Sequence, residues 1–207
     1  MAALAAAQRI KFQAIRFRKQ ITNLKLYITN QILAEPIKII FRFILFILVQ
    51  ALVLNQVAPL HRFITPYLYF LFILWMPFKT SRSSLLIVGF ILGLSLDFFL
   101  RTPGLHAAPC VLIAYLRPFI INLLVPKETK ELSLGSPSRT TMGFAPYALY
   151  VVVLTIVHHI YLVLLEMMQF PSFWYFFGKV FFTTLVSLLL ITITELLFSK
   201  RGRRVTG

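Results

Sequence analysis

The chain is dominated by apolar runs of 17 residues and more. A soluble domain of 207 residues carries apolar stripes instead, because one face of each element has to meet water. Runs of this length match helices that cross a bilayer. Hydrocarbon offers no water to the backbone, so its polar groups pair inside helices. The expected fold class is an all-α polytopic integral membrane protein. It has six transmembrane helices and an N-terminal basic amphipathic segment.

The spans read as residues 37–57, 63–78, 84–100, 106–124, 146–167 and 173–198. Pro36 permits a helix start. Pro66 and Pro77 sit near the ends of the second span, where proline is tolerable. The third span reaches roughly 25 Å at helical rise. Pro118 interrupts the fourth after Arg117. Residues 126–145 read as the one long polar connection, rich in Ser, Thr, Gly and mixed charge. Gln50 and Asn55 lie toward the far end of the first span, where amides make interhelical hydrogen bonds.

Charge fixes the expected orientation. The net charge is +15, from 21 Lys and Arg against 6 Asp and Glu. In a soluble protein that excess points to nucleic acid. Here the cations flank the apolar runs, so membrane orientation and anionic lipid account for them and no nucleic-acid partner is expected. With six spans, eighteen of the 21 cations fall on one side, which places both termini in the cytoplasm. Residues 1–35 carry Arg9, Lys11, Arg16, Arg18, Lys19 and Lys25. Ile10, Ala14, Phe17, Ile21, Leu24 and Ile28 recur at spacings of three and four. That pattern suits a helix lying on headgroups; a basic tail that only obeys the orientation rule is the alternative. Residues 200–207 form a short basic tail on the same side.

The stretch 89–117 holds the polar residues that are hardest to explain. Gly89 and Gly93 form a small-x-x-x-small pair, which permits close helix approach, within the chain or with a second helix. Asp97 follows at membrane depth, where a carboxylate needs a partner or a task. Arg101, one turn on, is the nearest candidate partner. Pro103 and Gly104 make a tight turn, and His106 opens the next helix. A substrate or proton site and a structural cap both fit this cluster.

Positive signs of catalysis are missing. No second carboxylate lies near Asp97, and no Ser-His-Asp spacing or Gly-rich phosphate loop is present. His158 and His159 are adjacent, so they point about 100° apart on a helix and make a poor metal pair. Glu166 and Glu195 lie near span ends, where solvation or pairing accounts for them. Cys110 is the single cysteine, so no internal disulfide forms. Neither enzymatic activity, a metal nor another cofactor is expected.

Three segments resemble the MreD family of bacterial rod shape-determining proteins: P-Y-L-Y-F-L-F-I-L-W-M-P at 66–77, G-F-I-L-G-L-S-L-D-F-F at 89–99 and P-G-L-H-A at 103–107. The resemblance implies a non-enzymatic inner-membrane scaffold of the cell-elongation machinery, supporting peptidoglycan synthesis. It implies an MreC-like single-span partner, and indirectly MreB and the pair of RodA with its transpeptidase. Gly89, Gly93, Asp97, Arg101, Pro103, Gly104, His106 and Arg117 would be the partner-binding or structural residues, while Arg9, Lys11, Arg16, Arg18 and Lys19 would meet lipid. The family is also similar in fold to the substrate-binding membrane subunits of energy-coupling-factor transporters. A solute-binding subunit, with a pocket lined by Asp97, His106 and His158, is therefore the alternative.

Overall fold

The computed structural model describes residues 16–18, 20, 36–56, 64–126, 135–168 and 172–198. The chain divides into two units, Met1–Ile44 and Leu45–Gly207. In the first, residues 16–18 and 20 are helical and exposed, Arg16 and Arg18 among them. The other residues of the expected lipid-binding set, Arg9, Lys11 and Lys19, lie outside the described residues, as does the C-terminal tail.

All regular structure among the described residues is helical. Five helices are long and apolar enough to cross a membrane: α1 (Pro36–Leu54), α3 (Arg82–Leu100), α4 (Ala107–Leu124), α6 (Phe144–Glu166) and α7 (Phe173–Phe198). Two four-residue helices, α2 (Leu71–Leu74) and α5 (Arg139–Met142), complete the set. The last turns of α1, Val49–Leu54, are wound as a π-helix, with the Asn55 N–H bonded to the Gln50 carbonyl at 3.0 Å. Pro118 does not interrupt α4, which continues to Leu124. A proline within a transmembrane helix is tolerated where neighbouring groups satisfy the freed carbonyl.

Helix faces show why a bilayer suits this unit. On α3, Leu85, Gly89, Leu92, Gly93 and Leu96 turn inward at helical spacing, yet Ile87, Phe90, Leu94 and Phe98 on the outer face are also apolar. A helix apolar all round belongs in a core or a membrane. α7 goes further and reverses the soluble pattern. It buries Lys179, Thr183, Thr184 and Ser187 and exposes Phe181, Leu185, Leu189 and Leu196.

The expectation of six spanning helices is met only in part. A helix over 63–78 is not what forms: residues 64–68 carry no helix, and only Leu71–Leu74 make an α-helical turn. The stretch is nevertheless the best-buried among the described residues. Tyr69, Phe70, Leu71, Ile73 and Leu74 are wholly inaccessible. It lies against α3 and α4. Non-helical backbone buried this deeply among apolar side chains survives only where protein supplies its hydrogen bonds, and here side chains from α1, α4, α6 and α7 do so.

Candidate functional site

The inner surfaces of α3, α4, α6 and the unwound stretch converge on a buried polar cluster. Its anchor is Asp97, in the last turn of α3 and 3% exposed. Its Oδ1 accepts the His106 backbone N–H at 2.9 Å and Nδ1 of the same residue at 2.8 Å. The Thr102 hydroxyl adds a third bond to Oδ1 at 3.1 Å, and the Ala107 N–H reaches Oδ2 at 3.0 Å. A carboxylate only accepts, so the bonding pattern assigns the hydrogen to Nδ1 of His106. Two of the donors are the first amides of α4, which a helix cannot satisfy internally. Asp97 thus caps α4 from a neighbouring helix, where an anion also meets the positive end of the helix dipole.

Arg101 takes no part in this. The expected Asp97–Arg101 pair does not form, because Arg101 is the left-handed C-cap of α3 (φ 57, ψ 39) and its side chain is exposed. The next four residues explain the reversal. Thr102-Pro103-Gly104-Leu105 forms a turn closed by Leu105 N–H to Thr102 carbonyl at 3.1 Å. Gly104 has φ 82, the conformation that a type II turn with proline in its second position requires. The chain doubles back so tightly that His106, nine residues from Asp97, meets its carboxylate.

Gly93 makes the close approach possible. A Cβ built there would lie 2.3 Å from the Ala107 Cα and 2.6 Å from the His106 carbonyl oxygen. At Gly89 it would meet the Ala114 Cβ and the Cys110 carbonyl oxygen at 3.1 Å. The small-residue face is therefore spent on the α3–α4 contact inside the chain.

Beyond His106 the cluster extends through rings. Tyr69 stands 5.6 Å from the His106 ring and 5.4 Å from that of His158, and its hydroxyl meets Nε2 of His158 at 2.9 Å. Phe70 stacks on His158 at 4.4 Å. His158 Nδ1 and Thr155 Oγ1 are buried without a hydrogen-bond partner. His159 turns to α7, with Nε2 3.2 Å from Ser187 Oγ. That Oγ accepts the Tyr67 N–H at 3.1 Å. Serine therefore has its own hydrogen to give to His159. The adjacent histidines diverge, and no group of three metal-ligating side chains gathers among the described residues.

The unwound stretch is held by side chains from remote helices. Gln50 Oε1 accepts the Leu68 N–H at 2.8 Å and the Tyr69 N–H at 3.4 Å, while its Nε2 donates to the Pro66 carbonyl at 3.0 Å. At the other end Arg117, 1% exposed, donates through Nη2 to the Met76 carbonyl and through Nε to the Tyr150 hydroxyl at 3.1 Å. That hydroxyl passes its own hydrogen to the Leu74 carbonyl at 2.9 Å. Further along, the Trp75 indole donates to the Tyr147 hydroxyl at 3.2 Å, which donates to Glu195 at 2.5 Å. Arg139 binds the same carboxylate at 2.8 Å. Glu166 pairs with Lys179 at 2.6 Å between α6 and α7.

Of the expected site residues, Asp97 and His106 are joined, Gly89 and Gly93 support them, and Pro103 and Gly104 shape the exposed turn. Arg117 is placed apart, at the far end of the unwound stretch. Gln50, Tyr69, Tyr150 and Ser187 were missing from the expected set. Only an amide inside an apolar run gave any sign of Gln50. No family model, curated protein or solved structure matches the chain.

Proposed function

We propose that this protein is a non-enzymatic scaffold of the bacterial inner membrane, of the MreD kind, which holds an MreC-like single-span partner of the elongation machinery. MreB and the RodA–transpeptidase pair would be reached through that partner. The observation that carries this reading is the complete internal use of Asp97. Four donors from the chain itself occupy its carboxylate, so the group fixes a hairpin and is not presented to a substrate. What remains for a partner is the exposed turn at Pro103 and Gly104, with Phe98 and Phe99 beside it.

The topology belongs to the same proposal. Residues 64–78 serve as the sixth crossing, in largely unwound form. Their contacts support this: Tyr69 faces His106 at the start of α4, and Met76 meets Arg117 eleven residues later on that helix. The charge asymmetry supports both termini on the cytoplasmic side.

One observation favours the solute-binding alternative. His158 Nδ1 and Thr155 Oγ1 are polar, buried and unpartnered, and such groups at membrane depth attract functional explanations. Mild-detergent purification from bacterial membranes separates the two readings. Recovery of an MreC-like protein, lost on Phe98→Ala with protein yield unchanged, is the result expected of the scaffold. A stoichiometric small molecule without a protein partner would replace it with the solute-binding reading.

A further inference from the structure

We infer that the outer face of the α3–α4 hairpin is a binding site for an anionic phospholipid, with Arg101 holding the phosphate and an apolar groove taking an acyl chain. Arg101 is the only non-glycine residue among those described with positive φ, at 57°. That conformation is disfavoured for any side chain with a Cβ, and helices that end this way normally place glycine or asparagine there. An arginine in this position is explained by its side chain, since the backbone would be better served by glycine. Yet the guanidinium is exposed and meets no acidic, polar or aromatic side chain among the described residues.

Arg82, at the other end of α3, offers the contrast. It lies over the Phe119 ring at 5.2 Å and so has an intramolecular use. The two arginines bracket a helix of 19 residues, about 28 Å at helical rise and close to the thickness of a hydrocarbon core. Arg101 therefore falls at headgroup level when α3 spans a bilayer.

An apolar groove on this hairpin includes Gly104, three residues after Arg101 in the sequence. Its volume is about 710 Å³, and its walls include Leu86 and Phe90 from α3, Gly104, Ala108 and Tyr115 from the turn and α4, and Tyr161 from α6. The lining is almost wholly apolar and includes the small residues Gly104 and Ala108, which suits a flexible hydrocarbon chain. A cation at the headgroup end and hydrocarbon walls below match the two parts of a phospholipid, and the positive charge selects an anionic one. This inference depends on the membrane placement alone and not on any protein partner.

Native mass spectrometry of the full chain in detergent, titrated with phosphatidylglycerol or phosphatidylcholine, provides the test. The unaltered protein should retain phosphatidylglycerol in preference to phosphatidylcholine. Arg101→Gly should lower phosphatidylglycerol occupancy about five-fold, the factor supplied by one basic contact with an anionic headgroup. Its melting temperature should hold or rise, because glycine relieves the left-handed backbone. Ala108→Phe, which fills the groove and leaves Arg101 in place, should also lower occupancy. Inorganic phosphate alone should give no adduct. Equal retention of both lipids, unchanged occupancy in Arg101→Gly, or binding of free phosphate would overturn the proposal. So would loss of a co-purified acidic protein in place of lipid.

Discussion

Oδ2 of Asp97 accepts the backbone N–H of Ala107 at 3.0 Å, which ties the end of one long apolar helix to the start of the next. Asp97→Ala leaves the His106 and Ala107 amides without their acceptor and the His106 Nδ1 hydrogen with only the Thr102 hydroxyl, at 3.2 Å. Losing such a cap and orphaning buried donors should destabilise the protein by about 2–4 kcal/mol. Asp97→Asn keeps an acceptor but loses the anion at the helix dipole, so about 1–2 kcal/mol is expected. Denaturant unfolding in detergent micelles measures both. Wild-type stability in Asp97→Ala would mean that the carboxylate does not hold the hairpin.

The two glycines of α3 should respond unequally to the same substitution. Gly93→Ala places a methyl 2.3 Å from a backbone atom of α4, which only a shift of the helix can relieve. Overpacking against backbone should cost about 3 kcal/mol or more. Gly89→Ala meets its neighbours at 3.1 Å and needs a shift of tenths of an ångström, so about 1 kcal/mol or less is expected. Thermal melts of the two variants decide this. Equal losses would count against the close helix contact at Gly93.

How much of this was legible in the sequence depends on the range of the forces involved. The long helices follow from local apolar runs, and local signals suffice to find them. The pairing of Asp97 was misread because Arg101 is nearest along a helix. The helix ends at Arg101, and a Pro-Gly turn then brings His106 back onto the carboxylate. The stretch 64–78 was misread for a different reason. Its composition is that of a membrane helix, with prolines at the margins only. What unwinds it are acceptors and donors from remote helices, such as Ser187 on Tyr67 and Gln50 on Leu68. No property of the stretch itself reports them.

Gln50 should control the local stability of that unwound backbone. Gln50→Leu preserves bulk but strips acceptors from Leu68 and Tyr69 and a donor from the Pro66 carbonyl. Three buried backbone groups would lose a partner, at a total of about 2–4 kcal/mol after relaxation. Hydrogen exchange resolves where the change falls. Amides of residues 67–70 should exchange faster, while those in the middle of α6 stay protected. Uniform acceleration across the chain would instead make Gln50 a general packing residue.

Arg117 should act with Tyr150 as one unit. A single guanidinium reaches Met76 directly and Leu74 through the Tyr150 hydroxyl, so the carbonyls at the end of α2 and just beyond it both depend on it. Among the described residues no carboxylate pairs with this cation, and its neutral partners are what hold it at 1% exposure. Lysine has the charge but not the planar fork, and cannot serve Met76 and Tyr150 together. Arg117→Lys should therefore cost about 2–3 kcal/mol, with Tyr150→Phe costing about 1–2 kcal/mol. Because the second change removes an acceptor that the first has already abandoned, the double variant should lose about 1 kcal/mol less than the two singles combined. A double-mutant cycle on unfolding free energies measures that coupling. Strict additivity would show that the arginine and the tyrosine hold the broken helix independently.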